Sequence, residues 1–172
     1  MVFDMKASDS VDFGYRYDVL TYRVNKKYAK REPKKSIRLI AVKFENKSDK
    51  TLKIGENYNI YAGQKQVFPI DPEIVHQELK QGSAIYLLYS LIWFTKSECD
   101  PLTGNCETTF IFPIGIPITV VNMVTAGTAN KQFATDLLSY NLTKKEIAAG
   151  ETAYAIIGIP DSQFQPLTIK LK

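Results

Sequence analysis

One histidine, His76, is all the imidazole this chain of 172 residues has, and its thiols stop at two, Cys99 and Cys106. A zinc site of the usual nitrogen and sulfur donors needs four ligands, so two more would have to stand near those cysteines. A lone His between Val75 and Gln77 also lacks the positioned partner that general acid–base work requires. The chain contains no G-x-S-x-G elbow, no H-E-x-x-H pair, no Walker loop and no G-x-G-x-x-G turn. Glu73 and Glu78 stand five apart and share a helix face poorly. Glu98 and Asp100 are too few carboxylates for a calcium loop. No catalytic residue, cofactor or metal ligand is therefore assigned, and the chain is read as non-enzymatic; a hydrolase site assembled cryptically from Asp and Glu is the competing class. The start, Met1-Val2-Phe3-Asp4-Met5-Lys6, lacks the apolar core of a signal segment. Internal repeats and Gly-, Ser- or Pro-rich linkers are also missing, which favours a single domain over 1–172.

What the chain does have is aromatic and β-branched residues. Ten Tyr and nine Phe accompany a 45% hydrophobic and 23% charged composition, a mixture that suits half-buried strands. The net charge of +4 is uneven: residues 1–50 carry thirteen Lys or Arg against seven Asp or Glu, and the remainder nine against eleven. The excess gathers at residues 23–38, in Arg23, Lys26, Lys27, Lys30, Arg31, Lys34, Lys35 and Arg38. An exposed loop that keeps strand edges apart is the plainest reading. Anionic lipid comes second, and nucleic acid a weaker third because no recognised nucleic-acid module accompanies the cluster.

Along the chain, the first dozen residues read as a loose lead-in, and 16–25 as a strand. Residues 26–36, with Pro33, read as a loop. Residues 37–46 are the clearest strand, alternating Ile37, Leu39 and Ala41 with Ile40, Val42 and Phe44. Short strands near 51–54, 57–62 and 66–70 follow, at the spacing of an antiparallel sandwich. Asp71-Pro72-Glu73 is a helix start, with a cap, a first-turn proline and a favourable charge. The run 84–94 is apolar on every side, which periodicity cannot resolve; helix is preferred. Pro117 opens a second helix to about Tyr140, on which Ala129, Phe133 and Leu137 share a face. Strands return at 151–159 and 166–171. Cys99 and Cys106 bracket a Pro- and Gly-containing turn, read as a structural disulfide with free thiols or a metal site as alternatives. Asn46-Lys47-Ser48 and Asn141-Leu142-Thr143 match the glycosylation triplet.

The segment with Asn122-Met123, Ala129-Asn130-Lys131 and Phe133 before Asp136-Leu137, then Ala149-Gly150-Glu151 leading into a closing strand, resembles bacterial envelope lipoproteins with immunoglobulin-like folds. The likeness covers mainly residues 110–172 and includes no catalytic motif. It implies an envelope location and a lipid anchor, although no lipobox cysteine stands near the start.

The expected fold is thus mainly β (α+β): an immunoglobulin-like antiparallel sandwich with a pair of apolar helices inserted at 72–140. The expected function is an extracytoplasmic, periplasmic or membrane-anchored binding or assembly module, meeting a protein partner or membrane surface. Two surfaces could serve it. One is anion-binding, through Lys26, Lys27, Lys30, Arg31, Lys34 and Lys35. The other is hydrophobic, through Leu88, Ile92, Trp93 and Phe94. Those apolar side chains have no charge near them between Lys80 and Lys96, nor is there any between Glu107 and Lys131. Packing of this region into the core is weighed above outward contact.

Overall fold

Ten residues in succession, Ile37–Asn46, form the strand around which the fold is built. Apolar side chains at both odd and even positions let it bury both faces, which requires a packed layer against each face of its sheet. The computed structural model describes residues 2–6, 10–22, 25–101, 104–142, 145–160 and 164–172, with only the backbone at 22 and 109–112. In chain order the elements are β1 (Asp4–Lys6), β2 (Val11–Arg16), the short helices α1 (Val19–Tyr22), α2 (Lys26–Ala29) and α3 (Glu32–Lys35), and β3 (Ile37–Asn46). Then come β4 (Leu52–Lys53), β5 (Tyr58–Ala62), β6 (Lys65–Val67), α4 (Pro72–Leu79) and a 3-10 helix (Ala84–Leu91). They are followed by β7 (Phe94–Cys99), β8 (Cys106–Phe112), α5 (Gly115–Ser139), β9 (Glu146–Ile147), β10 (Thr152–Pro160) and β11 (Leu167–Leu171). The chain divides into two compact units, Met1–Lys80 with Phe133–Lys172, and Gln81–Gln132.

In the first unit, a four-stranded antiparallel sheet has the order β1-β2-β3-β10, and a three-stranded one the order β11-β5-β6. Register sets Phe13 beside Phe44 and Ala153, and Tyr15 beside Val42 and Ala155. These even-numbered positions of β3 belong to one buried cluster with Tyr58, Ile60 and Leu167 of the second sheet and Leu52 and Ile147 of the β4–β9 pair. Each fully buried Leu, Ile or Phe contributes about 1.5–3 kcal/mol, so this cluster is the main source of stability. The opposite face of β3 carries Ile37 and Leu39 into a second cluster with Leu20, Tyr28, Val75, Leu79, Phe133 and Leu137. Antiparallel sheets and the strands expected at 37–46, 57–62, 151–159 and 166–171 are present. Strand and helix are nearly equal, about 36% and 34%, which makes the chain α+β rather than mainly β.

Several local expectations are corrected. The lead-in contains β1, paired with β2 through Met5 opposite Gly14. The strand expected at 16–25 lies instead at Val11–Arg16, because Asp18 takes a left-handed backbone (φ 58°) that turns the chain into α1; residues 23 and 24 lie outside the described residues. The basic stretch is not a loop but α2 and α3. Tyr28 is buried there, 4.4 Å from the Phe133 ring, and the buried Glu32 carboxylate accepts the Leu39 N–H at 2.8 Å. The insertion is narrower than 72–140. Helix α4, capped by Asp71 accepting the Glu73 N–H at 2.8 Å, packs Val75 and Leu79 into the first unit. The end of α5, from Phe133, does the same.

The second unit comprises the 3-10 helix, the β7–β8 hairpin and the first part of α5. The run 84–94 is thus a short 3-10 helix passing into a strand, since an all-round apolar run fits either form. Asn130 reads the Gln81 backbone twice, its Oδ1 accepting the N–H at 2.8 Å and its Nδ2 donating to the C=O at 2.9 Å. The Thr119 hydroxyl donates to the Tyr86 carbonyl at 3.0 Å, and the Gly115 N–H to the Ile92 carbonyl at 2.9 Å. At Gly115 the two segments come so close that a Cβ would collide with the Tyr89 carbonyl oxygen. Glycine is the only residue that fits there.

Candidate functional site

A protein surface normally scatters its large apolar side chains singly, and contiguous patches mark contact sites. The second unit departs from that habit. From the 3-10 helix and the strand after it, Leu88 (61% exposed), Leu91 (72%), Ile92, Trp93 (55%) and Phe94 stand open to solvent. From the start of α5, Ile116, Ile118, Val120, Val121 and Val124 do likewise. The inner seam of that part of the helix is narrow and runs through Gly115, Thr119 and Ala126. The reading that weighed core packing first is therefore overturned: Leu88, Ile92, Trp93 and Phe94 form no buried core.

Charge is segregated from this surface. The described charged residues of the hairpin are Lys96, Glu98, Asp100 and Glu107, with Lys96 and Glu98 paired at 2.9 Å. At its far end Cys99 and Cys106, opposite one another in register, are joined in a disulfide. Leu102 and Thr103 of the connecting turn lie outside the described residues. No helix among the described residues is long and apolar enough to cross a membrane.

The basic segment is held as firmly as it is charged. Lys26 and Lys27 on α2, Lys30 just after it and Lys34 on α3 are exposed, and the exposed Lys35 pairs with Glu78 at 2.7 Å. Hydrogen bonding to that ammonium holds the Glu78 carboxyl below the usual carboxylate range. Arg31 is half-buried, and its Nε lacks a hydrogen-bond partner. Arg38 lies inside, 9% exposed, its guanidinium 3.9 Å from the Phe164 ring centre. Arg23 lies outside the described residues. The six expected anion-binding residues thus lie on two short helices and the turn between them, with Arg31 half-buried and Lys35 engaged by Glu78 at the surface.

The remaining candidates separate. His76 sits on α4 with its ring 6.1 Å from that of Phe133, and its buried Nε2 has no hydrogen-bond partner. Among the described residues no group of three His, Cys, Asp or Glu side chains stands ready for a metal ion. Asn46 is buried, its amide donating to the Lys50, Ile147 and Ala148 carbonyls at 2.7, 3.0 and 3.0 Å, so its triplet serves the fold. Thr143 of the other triplet lies outside the described residues.

Sequence reasoning missed a recess of about 620 Å³ on the outer face of the four-stranded sheet, lined by residues including Phe3, Ala41, Lys43, Tyr140 and Tyr154. Its one sequence signal is the small Ala41 among bulky residues in β3. Comparison with protein-family models, curated proteins and solved structures finds no match to this chain.

Proposed function

We propose that this chain is a non-enzymatic, envelope-associated binding module that meets a membrane surface through its 81–132 unit. The observation that carries the reading is the solvent-open apolar surface made by Leu88, Leu91, Trp93 and Phe94 with Ile116, Val120 and Val121. A bilayer is the favoured occupant over a protein partner for two reasons. Of the four charged residues that bound the charge-free stretches, three are lysines (Lys80, Lys96 and Lys131, with Glu107 the fourth), whose long stems can reach the headgroup layer. Aromatic residues with polar edges, Tyr86, Tyr89 and Trp93, accompany them, as at membrane interfaces. The apolar part of α5, 116–124, spans only about 13 Å at 1.5 Å per residue, which suits shallow insertion rather than crossing. The exposed lysines of α2 and α3 would add attraction to anionic lipid, about 1 kcal/mol for each that reaches the surface. The disulfide supports an oxidising compartment. An immunoglobulin-like sandwich and a lipid anchor on the native chain belong to the same proposal.

Liposome flotation of the full chain tests it, with Trp93, the only tryptophan, as the second readout. Co-flotation with a blue shift of emission is expected. The exchange of Leu88, Leu91 and Val121 for Asp should abolish both while leaving the chain folded. Absence of flotation on neutral and anionic vesicles alike would overturn the proposal, and lipid-independent self-association lost in the same variant would assign the surface to protein contact.

A further inference from the structure

We infer that the recess on the outer face of the four-stranded sheet binds an amphipathic carboxylate, a small molecule with an apolar body and one acidic group. This site lies wholly within the first unit and is separate from the apolar surface proposed above. Two covers leave it open between them. At one end of the face, helices lie over Ile37 and Leu39. At the other, β1 lays Met5 over Gly14, where a Cβ would collide with the Met5 sulfur. The preceding residues fold back over the sheet. The Arg16 Nη1 donates to the Val2 carbonyl at 2.9 Å, and the Phe3 ring stands 6.1 Å from that of Tyr154. Between the covers the floor drops to the methyl group of Ala41.

The volume, about 620 Å³, falls within the range of small-molecule sites, and the walls include Phe3, Met5, Val19 and Tyr154. Lys43 is the one charged residue among the described residues of the lining. Its ammonium has three protons to donate, and one goes to Glu45 Oε2 at 3.0 Å, so a second carboxylate can be accepted beside the first. The bond to Glu45 also raises the Lys43 pKa, keeping the amine charged through the neutral range. A cationic amphiphile would bring its charge against this ammonium, and an alcohol would accept a hydrogen bond from it without a charge to meet it. The carboxylate is the head group that fits.

The test uses the full chain and dodecanoate below its aggregation threshold, followed by titration calorimetry, with dodecanol and dodecylammonium as comparisons. Saturable one-to-one binding of dodecanoate is expected. Ala41→Phe fills the recess from its floor on the side away from the main core, and should remove binding with the circular dichroism unchanged. Lys43→Met should weaken dodecanoate at least tenfold and leave dodecanol unaffected; it also serves if Ala41→Phe fails to fold. The idea is overturned if the unaltered chain shows no saturable binding, or if folded Ala41→Phe binds as before. Equal affinity for carboxylate and alcohol would likewise overturn it.

Discussion

Asn46 shows how one side chain can be mistaken for a surface signal. In the sequence it ends a strand, begins a turn and heads a glycosylation triplet, all features of exposed positions. In the fold it is 1% exposed. Its amide bonds the carbonyls that hold the 46–50 turn against residues 147–148, and its Oδ1 accepts from the Ser48 N–H at 3.0 Å and hydroxyl at 2.7 Å. Asn46→Asp keeps the shape but turns the donor into a carboxylate facing three carbonyl oxygens. Buried groups left in that state cost about 1–3 kcal/mol each, and charged ones more. Urea denaturation should therefore place the variant at least about 3 kcal/mol below the parent, with an unchanged slope. A loss within about 0.5 kcal/mol would mean that the side chain is not engaged in solution.

Elements with a local cause were legible, and those decided by tertiary neighbours were not. The alternation of Ile37 to Asn46 and the Asp71-Pro72 cap are written in adjacent residues, so β3 and α4 fall where they were expected. The basic stretch carried no apolar period to announce α2 and α3, because each is one turn long and held from outside by Phe133 against Tyr28 and by Leu39 against Glu32. The Leu-rich run at 84–94 failed for a different reason. It has no polar face in sequence, and in the structure its large apolar side chains Leu88, Leu91, Trp93 and Phe94 stay exposed. The sequence thus singles out Leu88, Ile92, Trp93 and Phe94 as apolar but not as exposed, since composition cannot distinguish a core from an open face. Helix α5 supplies a paired test of packing. Gly115→Ala places a methyl group on the Tyr89 carbonyl and should cost about 1–3 kcal/mol, as overpacking does. Gly127, on the same helix with open space around it, should accept Ala with a gain of about 0.4–1 kcal/mol. Amide exchange at Ile92, whose N–H donates to the Tyr89 carbonyl at 3.0 Å, should quicken in the first variant and not in the second.

At the scale of the whole molecule, stability and contact are assigned to different parts of the chain. Both buried clusters lie in the first unit, whereas the disulfide ties the exposed strand β7 of the second to its partner β8. Replacing Cys99 and Cys106 by Ser frees a short loop whose closure is worth about 2 kcal/mol. The loss should stay local: trypsin should cut faster at Lys96, and the main thermal transition should not move. A large fall in that transition would show that the hairpin supports the core. The edges of the main sheet carry a further consequence. β10 ends the sheet, but its outer edge is occupied: the Ile156 N–H donates to the Tyr140 carbonyl at 2.9 Å, and the Ile70 N–H to the Gly158 carbonyl at 2.7 Å. The other edge, β1, is three residues long. Growth by strand addition, the route by which β-rich chains become fibres, therefore has little template at either end. In concentrated solution this molecule should clump through greasy side chains, reversibly and dissolved by mild detergent, rather than lengthen by strand addition at its main sheet.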